Sequence, residues 1–175
     1  MSLLTPVRRR APFWLLGPAF LAIGLTGGAM RASAQGLPTE AYRRLAAWTS
    51  VSDPKASGRF RGPEGLTGLP DGRILVADRG LGAIHVLDAS GRGLALWGGD
   101  GSLGTPSDLS VAGGLAYVAD PEGGKVHLLD TATGRLIGSW PVSGRPSSLA
   151  WHPALKRLYV SRPGARDVLV LDESG

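Results

Sequence analysis

The chain has 175 residues, room for one ordinary domain, and a formal charge of +5 that would suit a polyanionic partner. That charge is concentrated in residues 1–34, which hold Arg8, Arg9, Arg10 and Arg31 and no acidic residue. The remaining 15 basic and 14 acidic residues of 35–175 nearly cancel, which excludes a basic stripe tracking a phosphate backbone. The absence of cysteine excludes disulfides, thiolate metal centres, covalently attached haem and a thiol nucleophile, while 27 glycines and 13 prolines favour a turn-rich, all-β chain.

The first predicted element is an export leader. Arg8-Arg9-Arg10 forms a positive start, Ala11 to Met30 is uncharged and mostly apolar, and Ala32-Ser33-Ala34 offers a small-x-small cleavage site. Cleavage there makes Gln35 the first mature residue. Gly17, Pro18, Gly24, Gly27 and Gly28 weaken a membrane-spanning helix, so no stable membrane insertion is expected after cleavage. The expected compartment is periplasmic or secreted. Residues 35–43 read as a linker, although Thr39 to Arg44 also resembles a short helix start.

From residue 44 the chain repeats. Leu87-Asp88, Leu129-Asp130 and Leu171-Asp172 are spaced by 42, as are Leu75-Val76, Tyr117-Val118 and Tyr159-Val160. Pro63, Pro106 and Pro146 follow at 43 and 40, and Trp97 and Trp140 at 43. Gly91, Gly134 and Gly175 close the turn after each repeated aspartate. The units span approximately 60–98, 103–141 and 144–175. Leu45 to Trp48 matches Leu94 to Trp97, and so reads as the fourth strand of a preceding unit.

Each unit reads as a meander of short strands, here termed A to D. The first unit gives Gly65–Leu69, Arg73–Ala77, Ala83–Asp88 and Leu94–Gly98. The second gives Ser107–Val111, Leu115–Ala119, Lys125–Asp130 and Arg135–Pro141, and the third Ser147–His152, Arg157–Ser161 and Asp167–Asp172. Short strands joined by Gly, Pro and Asp turns at this period predict four-stranded antiparallel β-propeller blades, all-β, forming part of a larger or oligomer-completed propeller. Apolar positions of strands B and C, namely Ile74, Val76, Ile84, Val86, Val118, Val126, Leu128, Leu158, Val160, Val168 and Val170, are expected between blades.

Pro63 to Leu66, Pro70 to Asp78 and Ile84 to Asp88 resemble an NHL repeat. Leu158 to Ser161, Val168 to Asp172 and Gly134 to Trp140 resemble the related YVTN repeat. The resemblance covers about residues 44–175. It implies an extracytoplasmic propeller, in a group that includes binding modules, lyases and metal-dependent lactone hydrolases, and the fold alone does not choose among them.

The B–C and D–A loops share one end of such a propeller, where ligands usually sit. They supply the candidate ligand-binding residues Glu64, Arg79, Asp108, Glu122, Arg145 and Arg162. A metal, if one binds, would be carried by Glu64 and Asp108. Asp78 and Asp120 end strand B and are expected to receive loop N–H groups, while Asp88, Asp130 and Asp172 open the C–D turns. His85 and His127 are expected as packed or half-exposed strand residues, and Trp48, Trp97 and Trp140 as cover for the blade rim. No nucleophile elbow, zinc-protease or P-loop pattern is present. The expected function is non-catalytic binding of a protein or small molecule, with no cofactor and no nucleic acid. The alternatives are a lyase or lactonase-like enzyme, or a fragment of a longer propeller. A homodimer closing a six-bladed ring, in which the strand near Trp48 completes the third blade of the other copy, is a further expectation.

Overall fold

The computed structural model describes residues 46–50 and 58–175. The leader, the linker, the Thr39 to Arg44 segment and Leu45 lie outside the described residues. Eleven strands run in chain order: β1 (Pro63–Gly68), β2 (Ile74–Asp78), β3 (Ala83–Leu87), β4 (Gly93–Gly98), β5 (Asp108–Ala112), β6 (Leu115–Asp120), β7 (Lys125–Asp130), β8 (Leu136–Pro141), β9 (Ser148–His152), β10 (Arg157–Arg162) and β11 (Asp167–Leu171). They form antiparallel meanders β1-β2-β3-β4, β5-β6-β7-β8 and β9-β10-β11. Every strand expected from residue 65 onward is present, with ends displaced by at most two residues.

The expected strand at Leu45 to Trp48 is corrected. Residues 46–48 carry no regular structure, and the only pairing nearby is a single bridge between Ser50 and Arg59.

The turns explain the repeat. Asp88 Oδ1 accepts from the N–H groups of Ser90 and Arg92, Asp130 Oδ1 from those of Ala132 and Thr133, and Asp172 Oδ1 from that of Ser174. Gly91, Gly134 and Gly175 then take φ of 84°, 73° and 95°, the left-handed region that suits glycine. Ladder bulges recur at equivalent positions, between Val86 and Leu87 and between Leu128 and Leu129.

Blades stack through two separate apolar clusters. Leu75, Ala77, Ile84, Val86 and Trp97 of the first blade meet Leu103, Leu109, Ala116, Val118 and Leu129 of the second. Tyr117, Ala119, Val126 and Leu128 of the second meet Val142, Leu149, Leu158 and Val160 of the third. Each fully buried aliphatic side chain contributes about 1.5–3 kcal/mol. Phe60 packs with Ile74, Val76, Leu87 and Leu96 on the first blade's other face. Four expected interblade residues lie outside the two interblade clusters: Ile74 and Val76 pack with Phe60, and Val168 and Val170 belong to no cluster. Val168 and Val170 are 60% and 43% exposed, because among the described residues no blade lies over that face of the third meander.

The tryptophans are also corrected. Trp97 is only 6% exposed and belongs to the first interblade cluster. Its indole lies against Gly134 in the C–D turn of the next blade, where any Cβ would overlap the ring. Trp140 covers Gly175 in the same way, and Trp48 covers Gly91. Trp97 and Trp140 therefore lock one blade to the next rather than covering a rim, while Trp48 remains 39% exposed.

Candidate functional site

The B–C and D–A loops are organised by buried carboxylates. Asp78 Oδ1 accepts from the N–H groups of Gly62 and Leu81 at 2.9 and 3.1 Å, and Oδ2 from that of Arg61 at 2.9 Å. His85 Nε2 lies 3.2 Å from Oδ2, and both side chains are buried. Asp120 repeats the design with the N–H groups of Thr105 and Gly123 and the Thr105 hydroxyl at 3.0–3.1 Å, and with His127 Nε2 at 3.4 Å. Burial acts to raise the Asp120 pKa. The donors of Gly123, Thr105 and His127 outweigh it and hold the carboxyl below its ordinary range. The expected roles of both aspartates are thus present. The two histidines are packed strand residues, as expected, and are buried partners of those aspartates. His127 Nδ1 also meets Ser139 Oγ at 2.7 Å, whereas His85 Nδ1 has no hydrogen-bond partner among the described residues and its ring packs edge-on against Phe60.

The third blade inverts this polarity. Arg162 stands one repeat beyond Asp120, and Leu169 one repeat beyond His127. The Arg162 guanidinium donates to both Asp167 oxygens at 2.8 and 2.6 Å and to the Ser143 carbonyl at 3.3 Å. A donor fork gripping a loop carbonyl replaces an acceptor gripping loop N–H groups. Arg162 is therefore committed to the fold of its own blade.

Asp108 is committed as well. Its Oδ1 accepts from Leu109 N–H at 2.9 Å, and its Oδ2 from Leu149 N–H of the third blade at 2.8 Å. Two neighbouring links, Ser107 Oγ to the Ser147 carbonyl and Trp151 N–H to Ser110 Oγ, join the same two inner strands. In the first blade the matching position is Gly65, where a Cβ would collide with Asp108 and the Ser107 carbonyl. Glu64 is paired with Arg79, and Asp108 with backbone N–H groups. Among the described residues no group of three or more His, Asp or Glu side chains could hold a metal ion.

The other four candidates form one chain across the loop-bearing end. Glu64 Oε1 lies 3.3 Å from Arg79 Nη1, and Arg79 Nη2 lies 3.1 Å from Glu122 Oε1. Arg145 Nη2 donates to that same oxygen at 2.5 Å. Glu64 and Arg79 come from the first blade, Glu122 from the second and Arg145 from the third. All four side chains are 39–59% exposed. Arg145 is held at φ 59°, an unusual backbone for a non-glycine residue. A shallow depression lined by Leu155, Lys156, Arg157, Asp172, Glu173 and Ser174 lies at the opposite, turn-bearing end and includes none of these residues.

No protein-family model matches the chain, and no curated protein matches it. Solved structures do. A streptogramin B lyase structure superposes with a TM-score of 0.59 at 19% identity, covering 73% of this chain and 41% of the lyase. A Kuenenia stuttgartiensis hydrazine synthase gives 0.59 at 21% identity, covering 66% of this chain and 34% of that one. The chain thus spans well under half the length of either. At these identities the likeness speaks for fold alone, and it is plain: the described meanders are blades of a β-propeller.

Proposed function

We propose that the chain is an exported, non-catalytic propeller module of the NHL/YVTN type that binds a protein or small molecule at its loop-bearing end. The observation that carries this reading is the Glu64–Arg79–Glu122–Arg145 chain. Exposed ion pairs of this kind each contribute only about 0–1 kcal/mol to stability. Their value lies in presenting charged donors and acceptors from three blades on one surface, where a polar ligand can replace one partner. Arg79 and Arg145 both point donors at a single carboxylate, a geometry a ligand carboxylate could take over. Export rests on the pattern of residues 1–34, and it puts the mature N-terminus, read by mass spectrometry, at Gln35.

The test is a thermal-shift screen of the exported chain against acidic peptides and small carboxylates, repeated with the Arg79→Ala, Arg145→Ala double variant. A ligand at 100 times its Kd stabilises by about 2.7 kcal/mol. The expected result is a shift that the double variant loses while its own unliganded melting stays close to the parent. Ligands whose shifts ignore both arginines would move the site elsewhere. Chemical conversion of a bound ligand would replace the binding role with an enzymatic one.

A further inference from the structure

We propose that Glu122 is a built-in stand-in for the ligand: its carboxylate occupies the seat between Arg79 and Arg145, and a carboxylate-bearing ligand binds by displacing it. The inference rests on the reading of the loop-bearing end as the binding surface and adds how that surface is kept closed. Arg79 Nη2 of the first blade and Arg145 Nη2 of the third meet on one oxygen, Glu122 Oε1, at 3.1 and 2.5 Å. Each guanidinium is a planar fork of N–H donors matched to a carboxylate, so the pair forms a seat for that group whatever chain carries it. A ligand carboxylate can offer each fork an oxygen of its own, where Glu122 offers both the same one.

The repeat shows that the loop itself does not need this carboxylate. Glu122 stands two residues past Asp120, and the matching positions are Gly80 in the first blade and Gly164 in the third. Space, not backbone shape, keeps those two as glycine, since neither takes a positive φ. A Cβ at Gly80 would lie 2.8 Å from Arg61, and one at Gly164 would lie 2.9 Å from the Gly144 carbonyl oxygen. Of the three blades, only the middle one admits a side chain at this point. Its loop is held by Asp120, which accepts from the N–H groups of Thr105 and Gly123. Glu122 adds a backbone N–H bond to Thr105 Oγ1 at 3.4 Å, which any residue there could make.

The exchange needs side-chain rotation alone. Arg79 N–H donates to the Gly62 carbonyl at 2.9 Å, and the Gly144 carbonyl beside Arg145 accepts from Gly164 N–H at 3.0 Å. The backbones are thus pinned, while the side chains of Arg79, Glu122 and Arg145 are 39%, 49% and 59% exposed. Exposed ion pairs are weak, so Glu122 loses little by swinging into water. Glu64 lies 3.3 Å from Arg79 Nη1 and keeps that guanidinium turned toward the seat when Glu122 leaves. Apparent affinity then scales with the fraction of molecules whose seat is open, and Glu122 in place lowers that fraction. Weakening the stand-in should therefore tighten binding, the opposite of what loss of a ligand contact does.

The test is isothermal titration of the exported chain with two probes, succinate and a capped hexaglutamate peptide. Glu122→Gln keeps the shape, removes the charge and should bind tighter than the parent by about 5-fold or more, the scale of two exposed ion pairs. Glu122→Gly, the residue of the other two blades, should do the same, and both variants should melt close to the parent. Adding Arg79→Ala and Arg145→Ala to Glu122→Gln should abolish the gain. Glu173→Gln makes the same change in net charge at the opposite end, and screening should keep its affinity within about twofold of the parent. A gain with both probes marks a seat open to small carboxylates, and a gain with the peptide alone marks a carboxylate on a protein surface; either supports the stand-in. Arginine-dependent binding that both Glu122 variants leave unchanged or weaken would overturn the stand-in and keep the binding surface. If neither probe bound the parent or either Glu122 variant, both readings would fall. An equal gain from Glu173→Gln would reduce the effect to overall charge and overturn the proposal as well.

Discussion

Asp120 shows how one side chain sets the path of two loops. Four donors meet its carboxylate within 3.4 Å, and the Asp–His geometry is repeated at Asp78 and His85. Neutralising it by Asp120→Asn removes charge-assisted bonds and should cost about 2 kcal/mol or more. Its pH signature is specific. The folded pKa lies below the ordinary 3.8, so the stabilisation is fully present above that value and is lost as pH falls through the lowered one. Acid-unfolding curves should therefore converge, parent and Asp120→Asn differing at neutral pH and approaching each other well below pH 3.8. A difference that persisted undiminished in acid would assign the loss to packing. The loop-pegging role of this residue is legible in the sequence, but its pairing with a histidine is not evident from one repeat. Asp78 and His85 are seven apart, as are Asp120 and His127, and in the third unit both members change together, to Arg162 and Leu169. That joint replacement was the available signal. Asp108 was harder. Its position near the axis was legible, but its bond to Leu149 N–H depends on how neighbouring blades are offset, which one repeat does not encode.

The strands were legible because each follows from local chemistry: alternating apolar residues bounded by glycine, proline and aspartate turns. The failures occurred where an element depends on another one. The segment ending at Trp48 has the composition of a fourth strand, yet residues 46–48 carry no ladder. A place on the outermost strand points the tryptophans to the rim, whereas interblade stacking turns Trp97 inward onto Gly134. This contact makes the turn glycine a packing residue as well as a conformational one. Gly134→Ala faces both a φ of 73° and an indole occupying the space of its Cβ. The left-handed backbone costs about 1–2 kcal/mol and overpacking about 1–3 kcal/mol, so a loss of about 2–5 kcal/mol is expected in urea unfolding. Gly113→Ala is the control, with φ 56° and nothing within 4 Å of its Cβ, and it should show only the backbone share. Equal losses at the two glycines would mean that the tryptophan yields freely and that the interblade lock is weak.

At the scale of the whole molecule, stability should behave as a sum over neighbouring blades, because the two interblade clusters share no residue. The middle blade is covered on both faces, and β6 and β7 are buried along nearly their whole length. The first blade has one face against the second and the other against Phe60. The third blade has one face covered, with Val168 and Val170 open to solvent. Hydrogen exchange of dilute protein should therefore rank protection as β6 and β7 first, β2 and β3 next, and β10 and β11 last. Uniform protection across the three blades would mean that they open only together, and would defeat the neighbour-sum account.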